Sequence, residues 1–204
     1  MFSVVIPTLW KSDKIFKLLD DLENCPLIND IILINNTPEF TPDIEKYNKI
    51  NLYTPKENLY VNPSWNLGVG LAKNELVCLI NDDVNPPIDS LFNFVSQIGN
   101  LLGVFGVNPH SKHKSPHLSL GHNIGRDWGC IIFIKKSNYI PIPPQLKLWF
   151  GDDWIFKTNF PSSYTIHLEV DADSSSSINS PNIHPITEQD KIEWKKLKYN
   201  QLWH

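Results

Sequence analysis

Three stretches constrain the fold more than anything else in the chain. Phe2-Ser3-Val4-Val5-Ile6, Asp30-Ile31-Ile32-Leu33-Ile34 and Glu75-Leu76-Val77-Cys78-Leu79-Ile80 are short and apolar at nearly every position, not at alternate ones. A strand with one wet face alternates. A strand that is apolar throughout is buried on both faces, which points to a largely parallel sheet covered by helices. Pro7 stops the first run and Asn35-Asn36-Thr37-Pro38 the second. Between them Ile15, Leu18, Leu19 and Leu22 recur at helical spacing, with Ser12 placed to cap the helix. A weaker strand at Asn51-Leu52-Tyr53 and a short helix from about Trp65 to Lys73 complete the alternation. The succession predicts an α/β fold with a Rossmann-like, mainly parallel sheet flanked by helices.

The second half is looser. Ile88 to Ile98 reads as a helix, and Val104–Val107 and Cys130–Ile134 as strands. A polar loop from Asn108 to Arg126 holds four of the seven histidines, His110, His113, His117 and His122. A helix is expected over Trp149 to Thr158, a strand over Tyr164 to Val170 and a loop over Asp173 to Pro185. A last helix is expected to open at Thr187, with Glu188 and Asp190 in its first turn, where acids suit the helix dipole. No repeat or internal boundary divides the 204 residues, so a single domain is expected.

Composition removes several function classes. The net charge is -4 with no block of like charge, and Arg126 is the only arginine. A surface built for nucleic acid or anionic lipid needs more cationic side chains than this. Arg126 could grip a phosphate or carboxylate through its fork of donors, or form an ordinary surface salt bridge. Cys25, Cys78 and Cys130 are odd in number, far apart and in apolar surroundings, as expected of reduced core residues in a cytoplasmic protein. The strand pattern begins at Phe2, from which no signal peptide is expected, and no apolar run approaches the ~20 residues that span a bilayer.

Two acidic motifs carry the chemistry. Leu79-Ile80-Asn81-Asp82-Asp83-Val84 places adjacent carboxylates just past a buried strand, on the sheet edge where open α/β folds bind ligands. With phosphate oxygens, such carboxylates suit Mg²⁺ or Mn²⁺. The plainer alternative is an acidic turn capping the next helix, helped by Asn85-Pro86-Pro87. Trp149-Phe150-Gly151-Asp152-Asp153-Trp154 sets a second acid pair among aromatics that could raise a carboxyl pKa and stack on a sugar. Its plainer alternative is N-capping by Asp152 or Asp153, with Trp149, Trp154 and Phe156 in the core.

Taken in order, Val4-Val5-Ile6-Pro7-Thr8, Asn66-Leu67-Gly68, Asn81-Asp82-Asp83 and Gly151-Asp152-Asp153 resemble the motifs of family 2-like glycosyltransferases with the GT-A fold, over about residues 1–160. The resemblance implies a nucleotide-binding half (about 1–100) and an acceptor half (about 101–204). It implies transfer of a hexose or deoxyhexose from a nucleotide diphosphate sugar, a UDP-sugar being favoured, to a glycan or other hydroxyl acceptor. Inversion and dependence on Mn²⁺ or Mg²⁺ come with it. Pro7 and Thr8 would meet the nucleotide, as would Asn36, where relatives carry an acid. Asn66 and Gly68 match the helix start beside the donor, and Asn81, Asp82 and Arg126 would join the donor site. Asp83 matches the last acid of the metal motif, with Asp82 second; Asn81 replaces the first acid. Asp153 matches the acceptor base, with Asp152 beside it. The usual metal-side histidine is missing from Val170-Asp171-Ala172-Asp173-Ser174, and His184 could substitute.

The chemistry explains why two acid sites are needed. A departing nucleoside diphosphate accumulates negative charge that a divalent ion can stabilise, while the acceptor hydroxyl needs a carboxylate to take its proton. Two rivals remain open. A sugar-phosphate nucleotidyltransferase would carry a Gly-rich basic loop after the first strand, where this chain has Pro7-Thr8-Leu9-Trp10-Lys11. A non-catalytic protein binding a carbohydrate or another protein would tolerate Asn81 and the missing histidine. The histidine loop is expected to act as a lid closing over the donor, a zinc cluster being the weaker reading.

Overall fold

The structure, a computed structural model, describes residues 1–98, 103–120, 129–172 and 183–200. Along the chain run β1 (Phe2–Thr8), α1 (Lys14–Asn24), β2 (Ile28–Asn35), β3 (Ile50–Tyr53), α2 (Val61–Leu71), β4 (Leu76–Ile80), β5 (Val84–Asn85) and α3 (Ile88–Ile98). There follow β6 (Val104–Asn108), β7 (His117–Leu120), β8 (Ile131–Lys135), α4 (Gly151–Thr158), β9 (Ser163–His167), β10 (Asp171–Ala172) and α5 (His184–Asn200).

Eight strands form one sheet in the order β3-β2-β1-β4-β8-β6-β9-β7. β3, β2, β1 and β4 are parallel, as the unbroken apolar runs require. β8 then runs antiparallel to both β4 and β6, β9 is parallel to β6, and β7 is antiparallel to β9. The parallel expectation therefore describes the first half, and the second half makes the sheet mixed. β5 and β10 pair separately as a small antiparallel ribbon.

Successive residues of the central strands enter opposite layers. Val4, Ile6, Ile31, Leu33, Cys78 and Ile80 pack with α1 and α3. Val5, Ile32, Ile34, Val77 and Leu79 pack with Trp65 and Val69 of α2 and with Trp154, Ile155 and Phe156 of α4. None of these sheet residues is more than 1% exposed, so the sheet is dry on both faces. Polar chemistry is thereby confined to its two edges. At the amino edge, Asp30 is fully buried and accepts hydrogen bonds from the Ser3 hydroxyl (2.7 Å), the Lys73 amide (2.9 Å) and the Asn51 carboxamide (3.0 Å). It is a structural knot.

Three local expectations are corrected. The stretch from Asn108 to Arg126 is not one loop, because His117–Leu120 joins the sheet as its edge strand. α4 begins at Gly151, with Phe150 in the left-handed conformation before it. α5 begins at His184, so Asp190 lies in its second turn and not its first.

α2 lies directly on β1, and Gly68 makes this possible. A Cβ there would sit 2.1 Å from Val5 Cγ1. Gly68→Ala is expected to lower the unfolding free energy by about 1–3 kcal/mol, the usual cost of overpacking a filled core. Urea denaturation monitored by circular dichroism measures it.

Candidate active site

The carboxyl ends of β1, β2 and β4 open on one cleft of about 110 Å³. Pro7, Thr8, Asn36 and Asp82 line it, so four of the sequence-derived donor residues are brought together. The Thr8 hydroxyl donates to Asp82 Oδ2 at 2.6 Å and accepts the Trp10 amide at 2.8 Å. Asn36 is buried and cross-tied, donating to Ser64 Oγ (3.0 Å) and accepting the Leu59 amide (3.0 Å). Its neighbour Asn35 is held by the Trp10 indole N–H (2.9 Å) and the Thr37 amide (2.9 Å), and so shapes the loops instead of facing the cleft. Sequence reasoning missed the other lining residues, Lys11, Tyr60, Leu148 and Ile183 among them. Lys11 was within reach of it, three residues past Thr8. Leu148 and Ile183 come from the far end of the chain and carry no local signal.

The second acid pair reaches the same sheet edge through β8. The Asn81 amide donates to the Cys130 carbonyl (2.9 Å), extending the β4–β8 ladder past Ile80↔Ile131. Gly129, just before Cys130, lies against Asp152; a Cβ on it would stand 3.1 Å from Asp152 Oδ2. The Cys130 thiol therefore feels both motifs. Burial pushes it up to about 12, and the charges of Asp83 and Asp152 add to the effect.

The carboxyls themselves are perturbed. Burial raises Asp82 to about 6, opposed by the Thr8 hydrogen bond and reinforced by the charge of Asp83. Burial also raises Asp152. Asp153 is raised to about 6, by burial first and then by the charge of Asp152, against the pull of Lys157. Both acids lie in the first turn of α4, and neither caps it: the N-cap is Phe150, which makes no side-chain capping bond. Trp154 and Phe156 are core residues, whereas Trp149 is 37% exposed.

Other candidate residues have different surroundings. Asn66 faces the 139–142 segment, accepting the Tyr139 hydroxyl (2.7 Å) and the Ile142 amide (2.9 Å) and donating to the Ile142 carbonyl (2.8 Å). Gly68 faces Val5. Neither lines the cleft. His184 is exposed at the head of α5, one residue after Ile183 of the cleft wall. Arg126 and His122 lie outside the described residues. His113 and His117 gather with His167 of β9 at the β7 edge, ring centroids 4.1–6.3 Å apart. That edge is separated from β4 by β8, β6 and β9, so the lid expectation is not met by β7.

Among the described residues, no group of three or more His, Cys, Asp and Glu side chains is arranged to hold a metal. The oxygen donors at the β4 edge nevertheless suit a hard divalent ion. Asp82 and Asp83 offer carboxylates, and Asn81 Oδ1 is buried with no hydrogen-bond partner.

Trp10, Tyr60 and Phe150, the three non-glycine residues at positive φ among those described, all border this region. Strain of this kind persists where surrounding contacts over-determine it, and it clusters at ligand sites. No helix among the described residues is long and apolar enough to cross a membrane.

No family model matches the chain, and no curated protein sequence matches it. Its fold is similar to solved structures of S. aureus TarS. Against TarS 1–349 the identity is 16% and the TM-score 0.61, covering 82% of this chain and 60% of that one. Against the same fragment in complex with UDP the values are 16% and 0.60, covering 94% and 64%. Against the complex with UDP-GlcNAc they are 15% and 0.57, covering 94% and 66%. The chain thus spans 60% of the length of the first of these structures. At such identities the likeness is one of fold: the mixed, helix-flanked sheet is a GT-A-like α/β fold.

Proposed function

We propose that this chain transfers a sugar from a UDP-sugar to an acceptor hydroxyl with inversion, using a divalent cation. The observation that carries the reading is the convergence of two acid pairs on one sheet edge, with Asp82, Asp152 and Asp153 raised by burial and Asp82 contributing to a cleft also lined by Pro7, Thr8 and Asn36. The likeness to TarS structures holding UDP and UDP-GlcNAc supports a nucleotide sugar as donor.

In this reading Asp83 and Asp82 hold Mn²⁺ or Mg²⁺, with the Asn81 carbonyl oxygen available beside them and His184 as the imidazole candidate. The ion, when bound, offsets the charge that builds on the diphosphate. The remaining work falls to the chain. The cleft walls orient the donor and restrict water. Asp153 takes the proton as the acceptor oxygen bonds to C1, and the C1–O bond to the diphosphate breaks on the opposite face. A base raised to about 6 is ionised at neutral pH yet more basic than an ordinary carboxylate, which favours proton abstraction. A non-catalytic carbohydrate-binding protein is the second reading, favoured by Asn81 standing where the relatives' first acid would be.

Screening nucleotide sugars for Mn²⁺-dependent release of nucleoside diphosphate decides between the two; no release from any donor sinks the transferase reading. Asp83→Ala is expected to lose Mn²⁺-dependent UDP binding in calorimetry while remaining folded. Asp153→Asn is expected to keep donor affinity and lose about 10²-fold or more in transfer rate. Asp152→Asn should be milder.

Two pH effects follow from Asp153. The ionised form is the active base, so kcat/KM should rise with pH and level off above about 6. Stability should move the other way. A carboxyl whose folded pKa lies above its unfolded value binds protons more tightly when folded. Its stabilising contribution is complete below about pH 4 and is lost as pH rises through 6. Asp153→Asn should therefore be more stable than the parent at pH 7.5, with the gain vanishing near pH 4. Thermal melts across that range test it.

A further inference from the structure

Asp190 is a charged residue on α5, only 1% exposed, and the chemistry described so far does not use it. Its carboxylate collects three consecutive backbone donors. Oδ1 accepts the Lys147 amide at 3.0 Å, and Oδ2 accepts those of Leu148 at 2.7 Å and Trp149 at 2.8 Å. The same backbone is gripped from the other side by Asn62 of α2. The Asn62 carboxamide donates to the carbonyls of Leu146 (3.3 Å) and Trp149 (3.0 Å), and its amide donates to that of Lys147 (3.0 Å). Two neighbours of Asp190 on α5 extend the clamp. Thr187 Oγ1 accepts the Trp149 indole N–H at 2.8 Å, and Trp194 stacks on Phe150 with ring centroids 5.3 Å apart and planes 5° from parallel.

What this clamp holds matters for both halves of the site. Leu148 is part of the cleft wall. Phe150, next after the third clamped amide, is in the left-handed conformation (φ 64°, ψ 8°) and sets the direction in which α4 starts. Gly151 then passes so close to Asn62 that a Cβ on it would lie 2.0 Å from Asn62 Oδ1. Asp152 and Asp153 follow at once. The chain therefore has little freedom between the clamp and the acceptor-side acids. A shift of the 147–150 backbone would move the cleft wall and the acid pair together.

We propose that Asp190 is a positioning residue for the transfer reaction: its carboxylate fixes the Lys147–Phe150 backbone and, through it, the placement of Asp153 and of the cleft wall at Leu148. The inference rests on the transferase reading above. A carboxylate suits this task because both of its oxygens only accept. An asparagine of the same shape, turned either way, points its NH₂ group at one or two of the backbone N–H groups.

Asp190→Asn is the decisive variant. Three readouts apply to it: circular dichroism for folding, ¹³C NMR titration of the Asp153 carboxyl, and kcat and KM for the donor. A folded variant is expected whose kcat falls about 10-fold or more, since misplacing a catalytic group by a fraction of an ångström carries costs of that order. Its donor KM should change less than its kcat. The Asp153 titration should move down from about 6 toward the ordinary carboxylate range, because a loosened turn lets water reach it. A purely structural role would leave that titration unmoved in the folded protein. A folded variant with unchanged Asp153 titration and wild-type kcat overturns the proposal. If Asp190→Asn does not fold, Asp190→Ser, smaller and with one acceptor oxygen, takes its place. Failure of both to fold also overturns it, making Asp190 a requirement of folding. Should the parent itself transfer nothing, the transferase reading falls, and the NMR titration still decides whether Asp190 governs the surroundings of Asp153.

Discussion

The antiparallel pairing of β8 with β4 is the constraint on which the site depends. β1, β2 and β4 deliver their carboxyl ends to one edge of the sheet, as parallel strands must. A parallel β8 would deliver its own carboxyl end there too and leave Gly129 and Cys130 at the opposite edge. Reversed, β8 brings its start beside Asn81, where the Asn81 amide meets the Cys130 carbonyl. Asp152 then packs against Gly129, where a side chain would crowd it. Two acid pairs separated by about a third of the chain thus share one edge because a single strand changes direction.

Holding acids at a half-buried edge is costly, and the surroundings show how the cost is contained. Each of the three strained aromatics is pinned by more than one contact. Trp10 is held by Asn35 and by stacking on Phe16 with centroids 6.1 Å apart. Tyr60 has its amide bound by Asn58 (2.7 Å) and its carbonyl by Ser64 (2.5 Å). Phe150 is stacked on Trp194, and its carbonyl accepts the Trp154 amide (2.9 Å). Positive φ costs a non-glycine residue on the order of 1–2 kcal/mol, and these contacts supply the compensation. The carboxyls are treated differently. Their raised pKa values mean that the fold does not fully stabilise their charged forms, which leaves them responsive to a cation or a proton.

How much of this was legible depends on the range of the interaction. The central strands were readable because burial on both faces leaves a local mark in unbroken apolar runs such as Ile31–Ile34. The helical face of Ile15, Leu18, Leu19 and Leu22 was readable for the same reason. The direction of β8 was not, since Cys130–Ile134 is equally apolar whichever way it pairs. β7 was hidden because His117-Leu118-Ser119-Leu120 is an edge strand with no fully buried residue, and its pairing with β9 is set by position and not by hydrophobicity. At the site, Pro7, Thr8, Asn36 and Asp82 could be placed together because all end or follow parallel strands. Leu148, Ile183 and Asp190 could not, because only tertiary packing of α5 carries them there. Asn66 and Gly68 illustrate the converse: their motif is local, but the groups they touch, Ile142 and Val5, lie outside it.

Three aspartates show why residue type alone does not tell structure from chemistry. Asp30 and Asp190 are buried in the fold, and Asp82 is partly so. Asp30 takes its donors from a hydroxyl, a carboxamide and a backbone amide, and Lys73 Nζ lies 3.3 Å away. Asp190 takes three backbone amides. In both, the lone pairs are turned to protein donors, and a buried carboxylate so satisfied acts as a fastener. Asp82 has the Thr8 hydroxyl, the Leu9 amide and its own amide, yet burial and the charge of Asp83 outweigh them and its carboxyl is raised to about 6. It also faces a cleft, whereas Asp190 faces the backbone that forms part of the cleft wall. What separates the fasteners from the cleft-facing acid here is how donors balance against burial and neighbouring charge after folding. That balance is written in the contacts between distant segments, which is why the acid motifs are visible in the chain while the surroundings of each carboxylate are set by the fold.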